Sequence, residues 1–510
     1  MNSKRTKILI GGGLAMALVL GGCATDSGGD SASTTLRIGQ TSGITQLDPN
    51  TTTFTAERVL WSLLWDGLTA QAKSGEVIPA LATSWETSDD QLTWTFHLRD
   101  DAKFHDGRQF TSEDAAKNIN RVLDVEVGSP QRAKITMVTA ATPVDATTLQ
   151  VSLETPAPQL PAAIIDIKMT DVDNLDSINQ AANGTGPFTL ASFVPDQEVT
   201  LERNPDYFGT KPSIEKVTIT KYSDTTSAQS ALSSNAIDMM WGVPYDQVQP
   251  QIDAGYVAVG PSDPAQAAVF EIDNSSAPFN DVRARQALSY ATDRAAIQIA
   301  AYGGFGVLNT GSTLISPNSP FASTKVMDYS YDLDKAKNLF AQAGVAEGDT
   351  LTCWATAGAY PEFAIACQIL QQSLAEIGIN LEIKTNETST WAELFYPAGK
   401  SYPGTIIPDL VSREAPPLPF IVNYFGSEGW SEGNWPGTAD FEKAKAVIQA
   451  STDQNELKDA FATAQEILSV QQPLVSILNV GPASLLQSSV SGVWVEPSGT
   501  MHVEAAKLTK

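Results

Sequence analysis

Residues 350–385 carry the pattern that most restricts how this chain can fold. An alternating apolar stretch, TLTCWAT (350–356), precedes apolar residues at helical spacing in AIACQILQQSLAEIGI (364–379), and a second alternating stretch, NLEIKT (380–385), follows. Strand, helix and strand in this order form a βαβ unit. The region therefore predicts an α/β fold.

The rest of the chain has the same mixture of strands and helices and no internal repeat of fixed period. Strands are predicted in 35–50, 92–98, 141–162, 474–480 and 493–496, a hairpin in 184–209, and helices in 56–68, 281–303, 438–451 and 454–471. With 510 residues, of which 42% are hydrophobic, the chain is long enough for two to four globular domains.

The N-terminal segment differs from everything after it. Lys4, Arg5 and Lys7 precede an apolar run, 8–22, that is shorter than the ~20 residues of a membrane-spanning helix and rich in glycine. A basic start followed by such a run is typical of an export signal. The small, polar residues 24–34 have the composition of a flexible tether.

The charge of the chain argues against one class of partner. The net charge is −26, and removal of the basic export signal would make it more negative by three. Nucleic-acid binding needs a basic face, so we expect no nucleic-acid partner. The sign of a small ligand stays open, because a cleft can carry a local field unlike that of the whole molecule.

Two of the three histidines, His97 and His105, lie among charged residues in FHLRDDAKFHDGRQFTSED (96–114). This stretch reads as a strand, an Asp-Gly turn and a helix that begins after Thr111. A metal site needs several converging ligands, and the third histidine, His502, is near the far end of the chain. We therefore expect neither a metal site nor a catalytic site here.

An exported serine hydrolase is a distant alternative. GWSEG (429–433) matches the G-x-S-x-G pattern, and Ser431 is followed by Asp440, Asp459 and His502 in the order found in α/β-hydrolases. That motif must connect a strand to a helix, whereas glycine and proline follow Ser431 closely. The sequence also contains no phosphate-binding P-loop, so we predict a protein that is not an enzyme and has no cofactor.

Several stretches resemble the extracellular solute-binding proteins of peptide-type ABC transporters, which include oligopeptide-, dipeptide- and nickel-binding proteins. They are VIPALATSWETSDDQLTWTFHLRDDAKFHDGRQFTSEDAAKNINR (77–121), GTGPFTLASF (184–193), LERNPDYFG (201–209), APFNDVRARQALSYATDR (277–294) and YDLDKAKNLFAQAG (331–344). The resemblance implies an α/β, periplasmic-binding-protein-like fold of two lobes, enlarged by an extra domain, with the ligand cleft between the lobes. It also identifies residues 96–114 as a scaffold signature.

The cysteines fit an exported lipoprotein. LVLGGC resembles the lipobox of bacterial lipoproteins, in which the cysteine, here Cys23, is acylated and becomes the mature N-terminus. Residues 1–22 would then be the signal peptide and 23–34 the tether of a body anchored by lipid at the outer face of the cell membrane. Export makes a disulfide between Cys353 and Cys367 the expected state.

The resemblance also implies domain limits. Domain I, in the first lobe, would combine 35–57, 184–270 and 480–510, and the inserted extra domain of that lobe would be 58–183. The second lobe, domain II, would be 271–479. Because the chain would cross between the lobes twice, we expect a hinge and a closing motion.

The family implies a ligand site of aromatic residues, main-chain groups and a few charges. Arg413 lies near the position where oligopeptide binders have an aspartate for the amino group of the ligand, with Asp409 and Glu414 beside it. A planar guanidinium suits a carboxylate, so Arg413 could favour an acidic ligand; a surface ion pair with Glu414 or Asp409 is the alternative. The other candidates are Trp391, which matches a pocket tryptophan of relatives, Tyr424, Trp430, Trp241, and Thr45 with Gln46, whose turn faces the cleft in the family.

These observations predict the substrate-binding lipoprotein of an ABC importer. It would capture peptides or peptide-like solutes outside the membrane and deliver them to a permease driven by a separate ATPase. A small organic anion, such as an aromatic carboxylate, is the alternative ligand. A receptor or chaperone-like lipoprotein of the same fold is not separable by sequence. We expect a monomer without metal.

Overall fold

The computed structural model describes residues 34–52, 55–261, 263–311, 314–357, 360–387, 404–411, 420–427 and 434–509. Within these residues, strands form sheets of seven, six and four strands and three two-stranded pairs. None of the helices in these ranges is both long enough and apolar enough to cross a membrane.

The strands, numbered along the chain, are β1 (Thr35–Gln40), β2 (Thr69–Gln71), β3 (Val77–Pro79), β4 (Ala82–Thr87), β5 (Thr93–Leu98), β6 (Val138–Asp145), β7 (Thr148–Leu153), β8 (Phe188–Val194), β9 (Glu198–Arg203), β10 (Lys216–Lys221), β11 (Met239–Trp241), β12 (Val257–Val259), β13 (Gln266–Ile272), β14 (Val307–Leu308), β15 (Thr350–Ala357), β16 (Asn380–Glu387), β17 (Thr405–Val411), β18 (Leu474–Val480), β19 (Ser484–Leu486), β20 (Val490–Ser491), β21 (Trp494–Val495), β22 (Met501–His502) and β23 (Lys507–Leu508).

The helices are α1 (Thr55–Leu64), α2 (Ser112–Leu123), α3 (Leu160–Ala163), α4 (Ile178–Ala181), α5 (Thr225–Ser233), α6 (Tyr245–Asp253), α7 (Val282–Ala291), α8 (Arg294–Tyr302), α9 (Leu333–Gln342), α10 (Pro361–Glu376), α11 (Phe420–Tyr424), α12 (Ala439–Ala450) and α13 (Gln454–Gln471). Short 3-10 helices cover Pro130–Lys134 and Val172–Ser177.

The first sheet has seven strands in the order β12-β19-β11-β1-β10-β9-β8. β1 lies near its centre and runs parallel to both neighbours, β10 and β11. Its alternate residues Leu36 and Ile38 are fully buried, and they pack with residues of α1 and of the C-terminal segment. The predicted hairpin over 184–209 is confirmed as β8 and β9.

The second sheet has six strands in the order β14-β18-β13-β17-β15-β16, with apolar clusters that include residues from α7 to α10 and from α11 to α13. The predicted βαβ unit is confirmed, because β15 and β16 are parallel and α10 packs on them. Cys353 of β15 and Cys367 of α10 form a disulfide with Cα atoms 6.0 Å apart. Both cysteines are fully buried, so the bond lies inside this core.

A separate antiparallel sheet, β4-β5-β7-β6, forms the centre of what we call the four-stranded unit (residues 82–168). On β5, Trp94, Phe96 and Leu98 are buried while the residues between them are partly exposed, as the alternation of the sequence predicts. The predicted helix after Thr111 is α2, and the Thr111 N–H donates to Asp114 Oδ2 at 2.9 Å. That contact satisfies a backbone donor at the helix start.

Two predicted elements were wrong in extent. Residues 141–162 were expected to hold one strand, but they lie in a hairpin of β6 and β7, whose turn is closed by a bond from the Thr147 N–H to Asp145 Oδ1 at 2.9 Å. The predicted helix 281–303 is two helices, because Asp293 accepts the Ala296 N–H and starts α8 afresh. In both cases an aspartate bonds to backbone two or three residues ahead, as aspartates at turns and caps do.

The chain passes between the two large sheets twice, once from β12 to β13 and once from β18 to β19. At these crossings, a Cβ atom added to Gly481 would lie 2.3 Å from the Pro261 side chain, and one added to Gly260 would lie 2.5 Å from the Phe305 ring. Nearby, Tyr245 of α6 packs on Tyr302 of α8, with ring centroids 5.2 Å apart. The two crossings therefore run side by side in close contact.

The predicted domain limits stay a prediction, and the pairing of strands refines them. The limit at 270 falls inside β13, which pairs with β17 and β18 of the second sheet, so the change of lobe would come before residue 266. The limit at 58 falls inside α1, whose residues Val59 and Leu63 belong to the core of the first sheet. Helix α1 would therefore belong with domain I.

Candidate ligand-binding site

The loop after β1 holds Thr45 and Gln46, two of the residues predicted to contact a ligand. Four contacts fix this loop: Asp196 N–H to Ile44 O (2.7 Å), Leu47 N–H to Asn179 Oδ1 (2.9 Å), the Asp48–Arg121 ion pair, and Asn50 with the Lys168 backbone (2.8 and 3.1 Å). Thr45 is exposed and Gln46 is partly exposed. These contacts hold the loop in place, and the loop exposes Thr45 and part of Gln46.

A buried carboxylate supports the exposed Thr45. The Thr45 hydroxyl donates to Glu57 Oε1 at 3.1 Å, and Glu57 lies in the first turn of α1. Gln46 Oε1 accepts from the Thr51 hydroxyl at 3.2 Å. These contacts fix the orientation of both side chains.

Tyr424 and Trp241, which were predicted as weaker ligand contacts, lie mostly within cores. Trp241 ends β11 and is 3% exposed, and Tyr424 of α11 is 5% exposed. The Tyr424 hydroxyl donates to Glu271 Oε1 at 2.6 Å. Burial and, to a smaller extent, the charge of Asp409 raise the pKa of Glu271 to about 8, although the bond from Tyr424 lowers it.

The remaining candidates, Arg413, Glu414, Trp391 and Trp430, lie outside the described residues, as do Cys23 and Ser431. The roles predicted for them therefore stay predictions. Arg413 follows the end of β17 by two residues, and β17 carries Asp409.

The four-stranded unit touches the second-sheet side of the molecule directly. Gln159, just before α3, donates through Nε2 to the carbonyl oxygen of Ile448 on α12 at 3.0 Å, and this contact is buried. The two residues are 289 positions apart in sequence. This contact therefore joins the four-stranded unit to a helix that packs with the second sheet.

A buried ion cluster lies next to the Thr45 loop. Asp166 accepts from Lys134 Nζ at 2.8 Å, and Arg58 Nη1 is 3.9 Å from the same oxygen. Burial alone would raise the pKa of Asp166, but the charges of Lys134, Arg58 and Lys168 outweigh it and hold that pKa below its usual range. Arg58 also donates to the carbonyl of Ser498 at 3.4 Å.

Sequence reasoning missed this cluster. Asp166 and Lys168 stand two positions apart inside an otherwise apolar stretch, PAAIIDIKMT (161–170), and both are buried. Charged residues are almost never fully buried unless they are paired. Two charges inside an apolar run were therefore the signal that could have indicated a buried ionic site, although not its partners Arg58 and Lys134.

His105 has a structural role. Its Nδ1 accepts the Gly184 N–H at 3.2 Å, which leaves Nε2 to donate to the Gly186 carbonyl at 3.1 Å. Burial lowers the pKa of His105. His97 is half exposed beside Glu86. Within the described ranges, no group of three or more His, Cys, Asp or Glu side chains converges as metal ligands would.

His502 is occupied in a way that does not suit a catalytic triad. Its Nε2 lies 2.7 Å from Glu496 Oε1, its Nδ1 lies 2.8 Å from Glu504 Oε1, and Trp494 stacks on the ring at 3.9 Å. A triad histidine needs one nitrogen for the serine hydroxyl. Both nitrogens of His502 are bound to glutamates instead.

A surface groove on the four-stranded unit does not contain the predicted site. It has a volume of about 510 Å³ and is lined by residues of α2 and β6, among them Lys117 and Pro143. Lys117 pairs there with Asp173 and Glu113. None of the predicted ligand residues lines this groove.

The comparisons with known proteins agree with this architecture. Residues 76–432 match the family "Bacterial extracellular solute-binding proteins, family 5 Middle". The chain is 26% identical to the dipeptide-binding protein of Escherichia coli over 84% of this chain and 86% of that protein, and 31% identical to the nickel-binding periplasmic protein of that species over 56% of each chain. The structure matches the ABC transporter substrate-binding protein CtaP of Listeria monocytogenes with a TM-score of 0.81, 23% identity, and coverage of 94% of this chain and 100% of that one.

The family match covers well over half of the chain, and the structural match gives the two-lobed α/β fold of substrate-binding proteins. The two large sheets, the double crossing and the four-stranded unit are the parts of that fold in this molecule. This chain therefore belongs to family 5 of the bacterial extracellular solute-binding proteins.

Proposed function

We propose that this protein is the ligand-capturing component of an ABC importer. It binds a peptide or a peptide-like solute outside the membrane and delivers it to a permease that a separate ATPase drives. The observation that carries the proposal is the pair of short, adjacent crossings between two sheets in a chain of this family. Two adjacent crossings suit a hinge, since they let two rigid bodies rotate about one axis.

Capture without chemistry is the mechanism. The ligand enters while the lobes are apart, and closing brings both lobes against it. A ligand that contacts both lobes only in the closed form shifts the population towards that form. The Gln159–Ile448 contact supports such a closed form, because it joins the four-stranded unit to the second lobe.

A peptide is the first choice of ligand. The relative named as a dipeptide-binding protein matches this chain over most of both lengths, whereas the nickel-binding relative matches just over half. A small organic anion is the second choice because of Arg413. Trp391, Trp430, Glu414, Tyr424, Trp241, Thr45 and Gln46 remain proposed contacts.

A thermal-shift screen tests this proposal. The chain from residue 24 onward is heated with peptide pools and, separately, with aromatic and aliphatic carboxylates. A ligand at 100 times its Kd stabilises the folded state by about 2.7 kcal/mol. Stabilisation by peptides supports the first choice, and stabilisation by carboxylates alone supports the second. Turnover of an ester or peptide that Ser431→Ala abolishes would overturn both.

We further propose that Cys23 carries the lipid that anchors a monomeric body to the outer face of the membrane. Residues 1–22 would be removed, and 23–34 would serve as the tether. Cys23→Ser should release the protein from membranes into the soluble fraction. A protein that partitions into detergent regardless of this substitution would contradict the anchor.

A further inference from the structure

The hydroxyl of Thr45 can offer a ligand only an acceptor. Its Oγ1 lies 3.1 Å from Glu57 Oε1, and the Thr45 backbone N–H donates to the same oxygen at 3.4 Å. Since a backbone N–H can only donate, Oε1 is the acceptor in both contacts, and it takes the single proton of the hydroxyl. Thr45 is exposed, and its Oγ1 has lone pairs left to accept a hydrogen bond.

Glu57 places a negative charge behind this acceptor. The residue is 3% exposed, and its second oxygen, Oε2, is buried without a hydrogen-bond partner among the described residues. The neighbouring guanidinium, on Arg58, pairs with Asp166 instead. In the part of the chain that the structure describes, no lysine, arginine or histidine forms an ion pair with Glu57. A buried carboxylate without a cation beside it favours a positively charged group nearby.

The loop that carries Thr45 leaves the first sheet at the edge where the chain crosses to the second sheet. β1 and β11 run parallel and in register, so their carboxyl ends lie at one edge. At that edge Trp241, the last residue of β11, pairs with Ser484, where the second crossing arrives. Ser484 also pairs with Val259, where the first crossing departs. In open α/β sheets, ligands bind outside the carboxyl ends of parallel strands, which is where this loop begins.

We propose that Thr45, with Glu57 behind it, is the subsite for an amino group of the ligand. An ammonium can only donate hydrogen bonds, and it carries the charge that Glu57 attracts, so it matches both features. A carboxylate offers only acceptors and a negative charge, and it matches neither. The inference rests on the proposed function and refines it, because it favours peptides with a free N-terminus over organic acids.

Two sets of probes that differ only in the amino group test the subsite. They are alanyl dipeptides and the matching propionyl compounds, whose Kd values for the chain from residue 24 onward are measured by calorimetric titration. We expect Thr45→Val to weaken binding of the alanyl dipeptides about tenfold or more, since one hydrogen bond to a charged group is lost. The propionyl compounds should bind Thr45→Val and the unsubstituted protein equally.

Glu57→Gln should cause the same selective loss, because the amide removes the charge and can itself donate to the Thr45 hydroxyl. Thr45→Ser keeps a hydroxyl and should retain most of the affinity. Glu215→Gln is the matched control, since Glu215 accepts from the Thr34 hydroxyl at 2.8 Å at the opposite end of β1, and it should change neither Kd. Equal losses for the alanyl and propionyl probes, or no loss for either, would overturn the subsite.

The subsite and the proposed function can fail separately. If neither dipeptides nor carboxylates bind the unsubstituted protein, the proposed function fails. The subsite is then tested with glycinamide, a small primary amine, added at millimolar concentrations while the Tm is measured. A rise in Tm that Thr45→Val abolishes would support the subsite, since a ligand that binds only the folded state stabilises it. No rise, or the same rise in both proteins, would overturn it.

Discussion

The two lobes bury carboxylates in opposite ways. Asp166 in the first lobe is surrounded by cations, which hold its pKa below the usual range, whereas Glu271 in the second lobe has a phenol as its bonded partner and a pKa of about 8. Both are buried. The difference teaches that the partners, and not the depth of burial, decide whether a buried acid is ionised.

The largest effect should come from removing the ionised acid. Asp166→Asn leaves Arg58, Lys134 and Lys168 without their shared counter-charge, and breaking a buried ion pair on one side costs about 3–5 kcal/mol. Urea unfolding of the chain from residue 24 onward measures this loss. Asp440→Asn, at an exposed pair with Lys443, is the control and should change stability by less than ~1 kcal/mol. If Asp166→Asn lowered the stability only slightly, Asp166 would not differ from Glu271 in the way described.

The second effect depends on pH. Since the folded pKa of Glu271 is raised from 4.5 to about 8, its contribution to stability is present below pH 4.5 and is lost as pH rises towards 8. Glu271→Gln mimics the protonated acid and keeps a partner for Tyr424. We expect the variant to match the unsubstituted protein near pH 5 and to be more stable at pH 8.5 by on the order of 2 kcal/mol. Identical pH profiles would show that Glu271 is ionised like Asp166.

A third buried group, His502, tests the same rule with a base instead of an acid. Burial would lower the pKa of His502, but Glu504 and Glu496 outweigh it and raise that pKa from 6.5 to about 9. The charged histidine therefore stabilises the fold fully below pH 6.5, and this contribution is lost as pH rises through 9. His502→Gln should cost about 1–2 kcal/mol at pH 6 and much less at pH 9.5. Chemical denaturation at the two pH values measures the difference, and an equal cost at both would contradict it.

The smallest effect concerns the contact between the four-stranded unit and α12 of the second lobe. Gln159→Ala removes the bond to the Ile448 carbonyl, which is worth about 0.5–1.5 kcal/mol. If that bond exists only in the closed form, ligand affinity should fall by roughly threefold to tenfold while the Tm of the unliganded protein hardly changes. Calorimetric titration with a ligand found by the screen measures the change. Unchanged affinity would mean that the contact persists when the lobes are apart.

Much of the fold could be predicted because the signals are local. Alternation on β5 and helical spacing in α10 each report one buried face, and these predictions hold. The breaks at Asp145 and Asp293 were missed because a single aspartate bond outweighs an uninterrupted apolar pattern. Periodicity does not detect such bonds.

Less of the candidate ligand-binding site could be predicted from the sequence. Thr45 and Gln46 could be named by resemblance, but their support, Glu57, looks like any acid at the start of a helix. The cluster around Asp166 joins residues from α1, a 3-10 helix and the segment after α3, and no spacing in the chain connects them. Ionic partners that are distant in sequence and meet only in the folded protein cannot be identified from the spacing of residues in one sequence.

The position of β19 has a consequence for how the chain can be made. This strand lies inside the first sheet, and β12 joins that sheet only through it, although β19 follows the whole second sheet in sequence. During synthesis from the N-terminus, the seven-stranded sheet of the first lobe therefore cannot be completed until residues 484–486 have been made. A chain cut before that point would expose the edge of β11 and leave β12 without a neighbour, which is the kind of open edge that promotes aggregation. The first sheet is thus completed only after every strand of the second sheet has been made.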